Sequence, residues 1–360
     1  LLQLRDHQLS VTQLNPLEIA TIDTAQHSAA ESVDHRTITL ANGLTIALFP
    51  DARVPLVSVQ TVIRCGLPAE TMALAGVSSL TASTLTKGTT QRSALEISST
   101  LEGLGASLHA STGNNSMMVS GGCLTPDLPV LLEILADVVL HPLFPQDALQ
   151  REIASQLSSI RESQQDPLDT AFHNLRRILF AESNYGIPAI GTEASMAQIS
   201  RNDLIDHHAR YFQAKNMTMA IAGDFDPDEV ITLLEKFLHK LPSGESYVAS
   251  ASTLQQDITE ICYLDKKQAV LTIGFPGLAA HDPRRFACAM LLEYCADMAG
   301  PLFTRIREEL GLAYQVGATQ FHGHDSGMLA FYVSTSPEQL ELAHSELRKE
   351  IAKIAQTGIP

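Results

Sequence analysis

Alternation of apolar and polar residues dominates the first third of the chain. In RTITLANGLTIALFP, residues 36 to 50, two alternating runs flank Asn42-Gly43, a pair suited to a tight hairpin turn because both residues accept positive φ. Leu56 to Ile63 predicts a further strand of the same sheet. The period then lengthens. GVSSLTASTLTKGT, residues 76 to 89, predicts a helix, and Ser93 with Glu96 reads as the capping box of a second helix reaching about Leu104. Two more strand runs turn at Gly113-Asn114-Asn115. Leu128, Leu131, Leu132, Leu135 and Val138 then mark one face of a helix that His141-Pro142 ends. Helical patterns follow over 146–162 and 168–180.

Farther on, Met217 to Ala222 predicts a strand and Asp226 the cap of the next helix. Past Leu241-Pro242-Ser243-Gly244 the composition turns to Ser, Gly, Thr and Gln, which sets a domain boundary at about residue 245. Strands are then expected at Ile261 to Leu264, Ala269 to Phe275, Ala313 to Phe321 and Met328 to Thr335, with helices from Pro283 to about Met298 and Pro337 to about Ala355. The fold class is therefore α+β, with two homologous αβ domains at 31–245 and 246–360, the second incomplete at its carboxy end. LRDHQLSVTQLNP at 4–16 repeats the pattern of FQAKNMTMAIAGD at 212–224, so residues 1–30 read as the tail of a preceding homologous half or as a lead segment.

The helix over 76–89 resembles the G-x-x-H-x-x-E-H-x-x-x-K-G-T helix of the pitrilysin/insulysin family of zinc peptidases, the inverzincins, in which two histidines hold zinc. The flanking segments follow in the family's order, through NDLIDHHARYFQAKNMTMAIAGDFDPDEV, its recurrent closing unit. The resemblance implies domains of the metallopeptidase-half type, mainly antiparallel sheet with helices packed on it. The histidine positions fall here on Ser79 and Ser83, and the glutamate on Ala82. The third ligand, a glutamate shortly before an Asp-Pro, falls on Ser158 or Ser159 in QREIASQLSSIRESQQDP. Neutral hydroxyls ligate zinc poorly beside imidazole and carboxylate, so no metal or other cofactor is expected on this chain. Zinc is expected instead in a homologous partner half, in the same polypeptide or a separate subunit.

PLFTRIREELGLAYQVGA, residues 301 to 318, resembles the part of the family's inactive half that faces that zinc, where an arginine and a tyrosine seven positions on reach the peptide. These are Arg307 and Tyr314. Leu302, Ile306 and Leu310 form a buried stripe that leaves Arg307 on another face, and Gly311 is placed to stop the helix. An arginine fork and a phenol can both donate to the carbonyl oxygen on which peptide hydrolysis builds negative charge. The plainer alternative is a solvated Arg307 over Phe303 and a Tyr314 that only packs.

Composition narrows the field. Of 360 residues, 45% are hydrophobic, enough for two cores, and no apolar stretch reaches membrane-spanning length. A formal charge of -16 repels nucleic acid and anionic lipid. Cys65, Cys123, Cys262, Cys288 and Cys295 are scattered and imply no disulfide framework. The residues name no compartment; the resemblance alone leans to the cell envelope or periplasm. The leading expectation is a non-catalytic half of a zinc metalloendopeptidase, closing with a zinc-bearing half around peptides. The rivals are a purely architectural subunit and a metalloenzyme built on His322 and His324.

Overall fold

A computed structural model describes residues 35–249 and 258–359; the repeat at 4–16 lies outside them. Among the described residues the chain divides into two compact units. One falls within Glu31–Glu162 and Ser183–Ser250, the other within Ser163–Glu182 and Ala251–Pro360. Among them no helix is long and apolar enough to cross a membrane.

The first unit is built on a six-stranded sheet of β1 (Arg36–Thr39), β2 (Thr45–Pro50), β3 (Leu56–Arg64), β4 (Ser107–Thr112), β5 (Ser116–Leu124) and β6 (Met217–Gly223). Its spatial order is β1-β2-β6-β3-β5-β4. All neighbours are antiparallel except β2 and β6, which pair in parallel from Thr45↔Thr218 to Pro50↔Gly223. Asn42-Gly43 turns the β1–β2 hairpin, with Gly43 at φ 98°. β3 shows the pattern of a sheet wet on one side: Val57, Val59, Thr61 and Ile63 are buried, while Leu56, Ser58, Gln60 and Arg64 are exposed.

The buried face is covered by α1 (Val77–Leu85), α2 (Ala94–Gly103), α3 (Leu128–Leu140), α4 (Gln146–Gln165), α6 (Glu193–Gln198), α7 (Arg201–Tyr211) and α8 (Pro227–Leu238), which share one apolar cluster with the strands. Each Leu, Ile or Val so buried contributes about 1.5–3 kcal/mol. The capping box at Ser93 and Glu96 forms as expected, and Asp226 accepts from the backbone of Asp228 and Glu229.

Lys87-Gly88-Thr89 joins α1 to the rest of this unit through polar contacts. Thr89 donates its hydroxyl to the buried carboxylate of Asp137 on α3 at 2.7 Å, and Arg92 donates to the same oxygen at 2.8 Å. Arg92 also pairs with Glu133, and Lys87 with Glu152 at 3.4 Å.

The second unit has a three-stranded antiparallel sheet, β7 (Ala269–Gly277), β9 (Gly327–Thr335) and β8 (Gln315–His322), in that order. Leu271, Ile273 and Phe275 of β7 and Phe331 and Val333 of β9 face a cluster completed by Cys295 of α9 (Arg285–Ala296), Leu302 and Ile306, and Leu347 and Ile354 of α10 (Leu340–Thr357). Here α5 (Pro167–Leu179) covers the other face. Phe172 meets Tyr332 edge to face at 5.5 Å, and the Arg176 guanidinium lies 4.5 Å over Phe321. A Cβ added at Gly274 would stand 2.5 Å from Leu175, so the bare glycine lets helix and strand approach closely. Asp166 caps α5, its carboxylate accepting from Leu168 and Asp169.

One expected strand is missing. Ile261 to Leu264 form no ladder, and Ile261 and Tyr263 are exposed. Among the described residues β7 pairs only with β9, so the alternation at 261–264 has no described strand beside it.

Replacing Asp137 with alanine strands the Thr89 hydroxyl and half of the Arg92 pairing in a buried site. Urea denaturation is expected to show a loss of about 3 kcal/mol; a loss under about 1 kcal/mol would contradict this role.

Candidate functional site

The helix α1 is mostly core. Val77, Ser78, Leu80, Thr81, Ala82, Thr84 and Leu85 are buried. Its hydroxyls are satisfied locally: Thr81 donates to the Val77 carbonyl at 2.8 Å, and Ser83 to the Leu80 carbonyl at 3.2 Å. Ser79 donates to the Gln156 side-chain carbonyl on α4 at 3.3 Å, and the Gln156 amide donates to the Ile190 carbonyl at 2.6 Å. Ser158 and Ser159 are exposed, and their hydroxyls donate back along α4 to Ala154 and Ser155. The α4 side chain that meets α1 is thus Gln156, two to three positions before those read from the Asp-Pro spacing. A count from a downstream landmark misses how α4 is rotated.

These residues do not fit a zinc ion. Ser79, Ala82 and Ser83 offer two neutral hydroxyls already engaged and a methyl group, and among the described residues no three His, Cys, Asp or Glu side chains gather where they could hold a metal. His322 is also engaged, its Nδ1 lying 2.7 Å from the Leu278 carbonyl. His207 and His208, adjacent on α7, point apart: His207 Nε2 lies 3.2 Å from Ser78 Oγ and His208 Nε2 lies 2.8 Å from the Val139 carbonyl.

The start of α1 carries a feature that the sequence did not announce. Gly76 adopts φ 90°, and the buried Glu70 carboxylate accepts from the Gly76 and Ser78 N–H groups at 2.7 and 2.9 Å. Burial lifts its pKa from 4.5 to about 7, outweighing those N–H donors and the Ser78 side chain, which pull it down. On the other side of Ser78, burial lowers His207 from 6.5 to about 4, with His208 and Arg210 adding repulsion. Nothing in the sequence distinguishes Glu70 from a loop acid.

Arg307 and Tyr314 occupy one helix-to-strand connection in the second unit. Phe303–Glu309 is a π-helix, a wide turn often found at functional positions. Leu302 and Ile306 are wholly buried and Arg307 is exposed. The helix ends as the Gly311 N–H donates to the Arg307 carbonyl at 3.1 Å, with Gly311 at φ 60°. The Tyr314 N–H donates to the Ser334 carbonyl at 2.8 Å, which begins the ladder to β9. Tyr314 is 61% exposed. Arg305 pairs with Glu309 at 2.7 Å and Glu346 at 3.5 Å. Among the described residues the Arg307 guanidinium makes no ion pair and lies 4.8 Å over the Phe303 ring.

Sequence comparison gives the class to which the two αβ units belong. The insulinase profile (peptidase family M16) matches residues 45–193, and the profile of the M16 inactive domain matches residues 198–360. The chain belongs to this family. It is similar to an "uncharacterized zinc protease" of Rickettsia felis, 27% identical over 326 residues covering 88% of this chain and 77% of the relative. A protein of the same description from Bacillus subtilis is also 27% identical, over 89% of this chain and 78% of its own. Among solved structures, an M16 inactive domain from Pseudomonas fluorescens superposes with a TM-score of 0.84 at 22% identity, covering 91% of this chain and 80% of that one. A protease from Helicobacter pylori gives 0.82 at 18%, covering 91% and 81%. These structural likenesses bear on the fold.

Two outcomes follow from the α1 surroundings. Because the Glu70 pKa is raised on folding, its contribution to stability is complete below about pH 4.5 and is lost as pH rises through about 7. From pH 4.5 to 8 the native chain is expected to lose roughly 3 kcal/mol relative to Glu70→Gln in urea unfolding; a difference independent of pH would contradict this. Separately, the quadruple variant Ser79→His, Ala82→Glu, Ser83→His, Gln156→Glu should take up one zinc by metal analysis. The same set with Ser159→Glu in place of Gln156→Glu should not; the reverse result would show that Gln156 does not face the site.

Proposed function

We propose that this chain is the non-catalytic half of a zinc metalloendopeptidase, an inverzincin whose metal site is absent here. It pairs with a zinc-bearing half, fused or separate, to enclose and cleave peptides. Arg307 and Tyr314 bind the substrate. The observation that carries this reading is the guanidinium of Arg307, exposed and, among the described residues, without a carboxylate while nearby Arg305 takes two. The exposed phenol seven residues on supports it. A fixed charge and a neutral O–H donor are the groups that a peptide carbonyl needs as its oxygen gains charge, and neither has to give up a proton. Zinc, held by the partner half, would supply the Lewis acid. Acidic net charge is compatible with cationic peptides, without specifying them.

A second reading, an architectural subunit, draws support from the stacking of Arg307 on Phe303, a contact that a purely structural arginine can also make. The two part in a simple assay. With the chain purified together with its zinc-bearing half, Arg307→Ala and Tyr314→Phe are each expected to lower kcat/KM for a quenched fluorescent peptide about a hundredfold, with zinc content and assembly mass unchanged. Undiminished turnover in both variants would reject the peptide-binding role and favour the architectural one.

A further inference from the structure

We infer that Phe303 is a positioning residue, which holds the Arg307 guanidinium ready for a peptide carbonyl; this rests on the reading just proposed. A guanidinium on an exposed helix surface samples many rotamers and loses that freedom when it binds. Two local devices limit the loss. Glu309 and Glu346 are both drawn to Arg305, Glu346 being held further by Lys349 at 2.6 Å, and the adjacent Glu308 makes no ion pair with Arg307 among the described residues. Among the described residues Arg307 is therefore not captured by a carboxylate that would occupy its N–H groups. Instead the guanidinium carbon lies over the ring of Phe303, four positions earlier in the same π-turn, 4.8 Å from its centroid. A ring attracts the charge without a carboxylate oxygen to take up its N–H groups, which stay available to a ligand.

The tyrosine side is held by backbone. Wholly buried Thr335 donates its hydroxyl to the Leu312 carbonyl at 2.6 Å, and the Ser334 carbonyl receives the Tyr314 N–H at 2.8 Å. Two consecutive residues of β9 thus fix the loop on which Tyr314 sits. With the loop backbone fixed and the guanidinium against the Phe303 ring, the arginine side of the pair is placed before a ligand arrives. Such preorganisation acts on the transition state, so its loss falls on kcat more than on KM.

The test is a mutant cycle in the chain purified with its zinc-bearing half. Phe303→Leu is expected to lower kcat about fivefold, the scale of an exposed cation–π contact, with KM little changed, and Phe303→Tyr to restore it within about twofold. In an Arg307→Ala background Phe303→Leu should cost nothing more. If Arg307→Ala itself is silent, the peptide-binding reading falls and this inference with it. If Arg307→Ala is costly but Phe303→Leu is silent, or its effect simply adds, Phe303 does not position the arginine while the reading stands. A measurement on the unmutated chain guards against misfolded variants: through the ring current the Arg307 Nε–Hε proton should resonate upfield of the solvent-averaged arginine position, as those of Arg176 and Arg285, which also lie over rings, should, and a resonance at the solvent-averaged position would overturn the inference.

Discussion

Burial of Leu302 and Ile306 against the sheet of the second unit decides what its π-turn can show to solvent. Both side chains are wholly enclosed with Phe331, Val333 and Leu347, and losing either would cost several kcal/mol. With that stripe fixed, Arg307 lies on the outward side. Gly311, in the left-handed region that other residues enter at a cost, lets the chain reverse at once, and β9 receives it. The exposure of the arginine and tyrosine is thus a consequence of core packing and one glycine.

The same logic explains why α1 looks as it does. A helix with most of its residues in the core favours small side chains that pack closely and return their hydroxyls to its own carbonyls. Glu70 supplies the acceptor that the start of the helix lacks, and Gln156 ties it to α4. Its contacts serve cohesion of the unit.

Local signals were legible in the sequence and long-range ones were not. The Asn42-Gly43 turn, the Ser93 box and the Asp226 cap depend on residues within a few positions of each other, and each formed as read. Nothing local says that β2 and β6 pair in parallel across more than 170 residues, or that α5, whose amphipathic pattern suits any apolar surface, covers β7. The strand read at 261–264 had the right alternation and, among the described residues, no partner strand. At the candidate site, the Gly311 stop could be read locally, while Arg307 and Tyr314 were singled out by the resemblance of residues 301–318 to the family's inactive half. The π-turn, the carboxylates drawn to Arg305 and the rotation of α4 that presents Gln156 arise only from packing.

The central claim is that a peptide lies against the Arg307–Tyr314 connection. A photoreactive benzoylphenylalanine placed at position 314, in the chain assembled with its zinc-bearing half, reads this directly by mass spectrometry after irradiation with a bound peptide. The account predicts peptide covalently attached at position 314, and little at a control placed on exposed Leu342 of α10. No attachment at 314, or equal labelling at both positions, would contradict it.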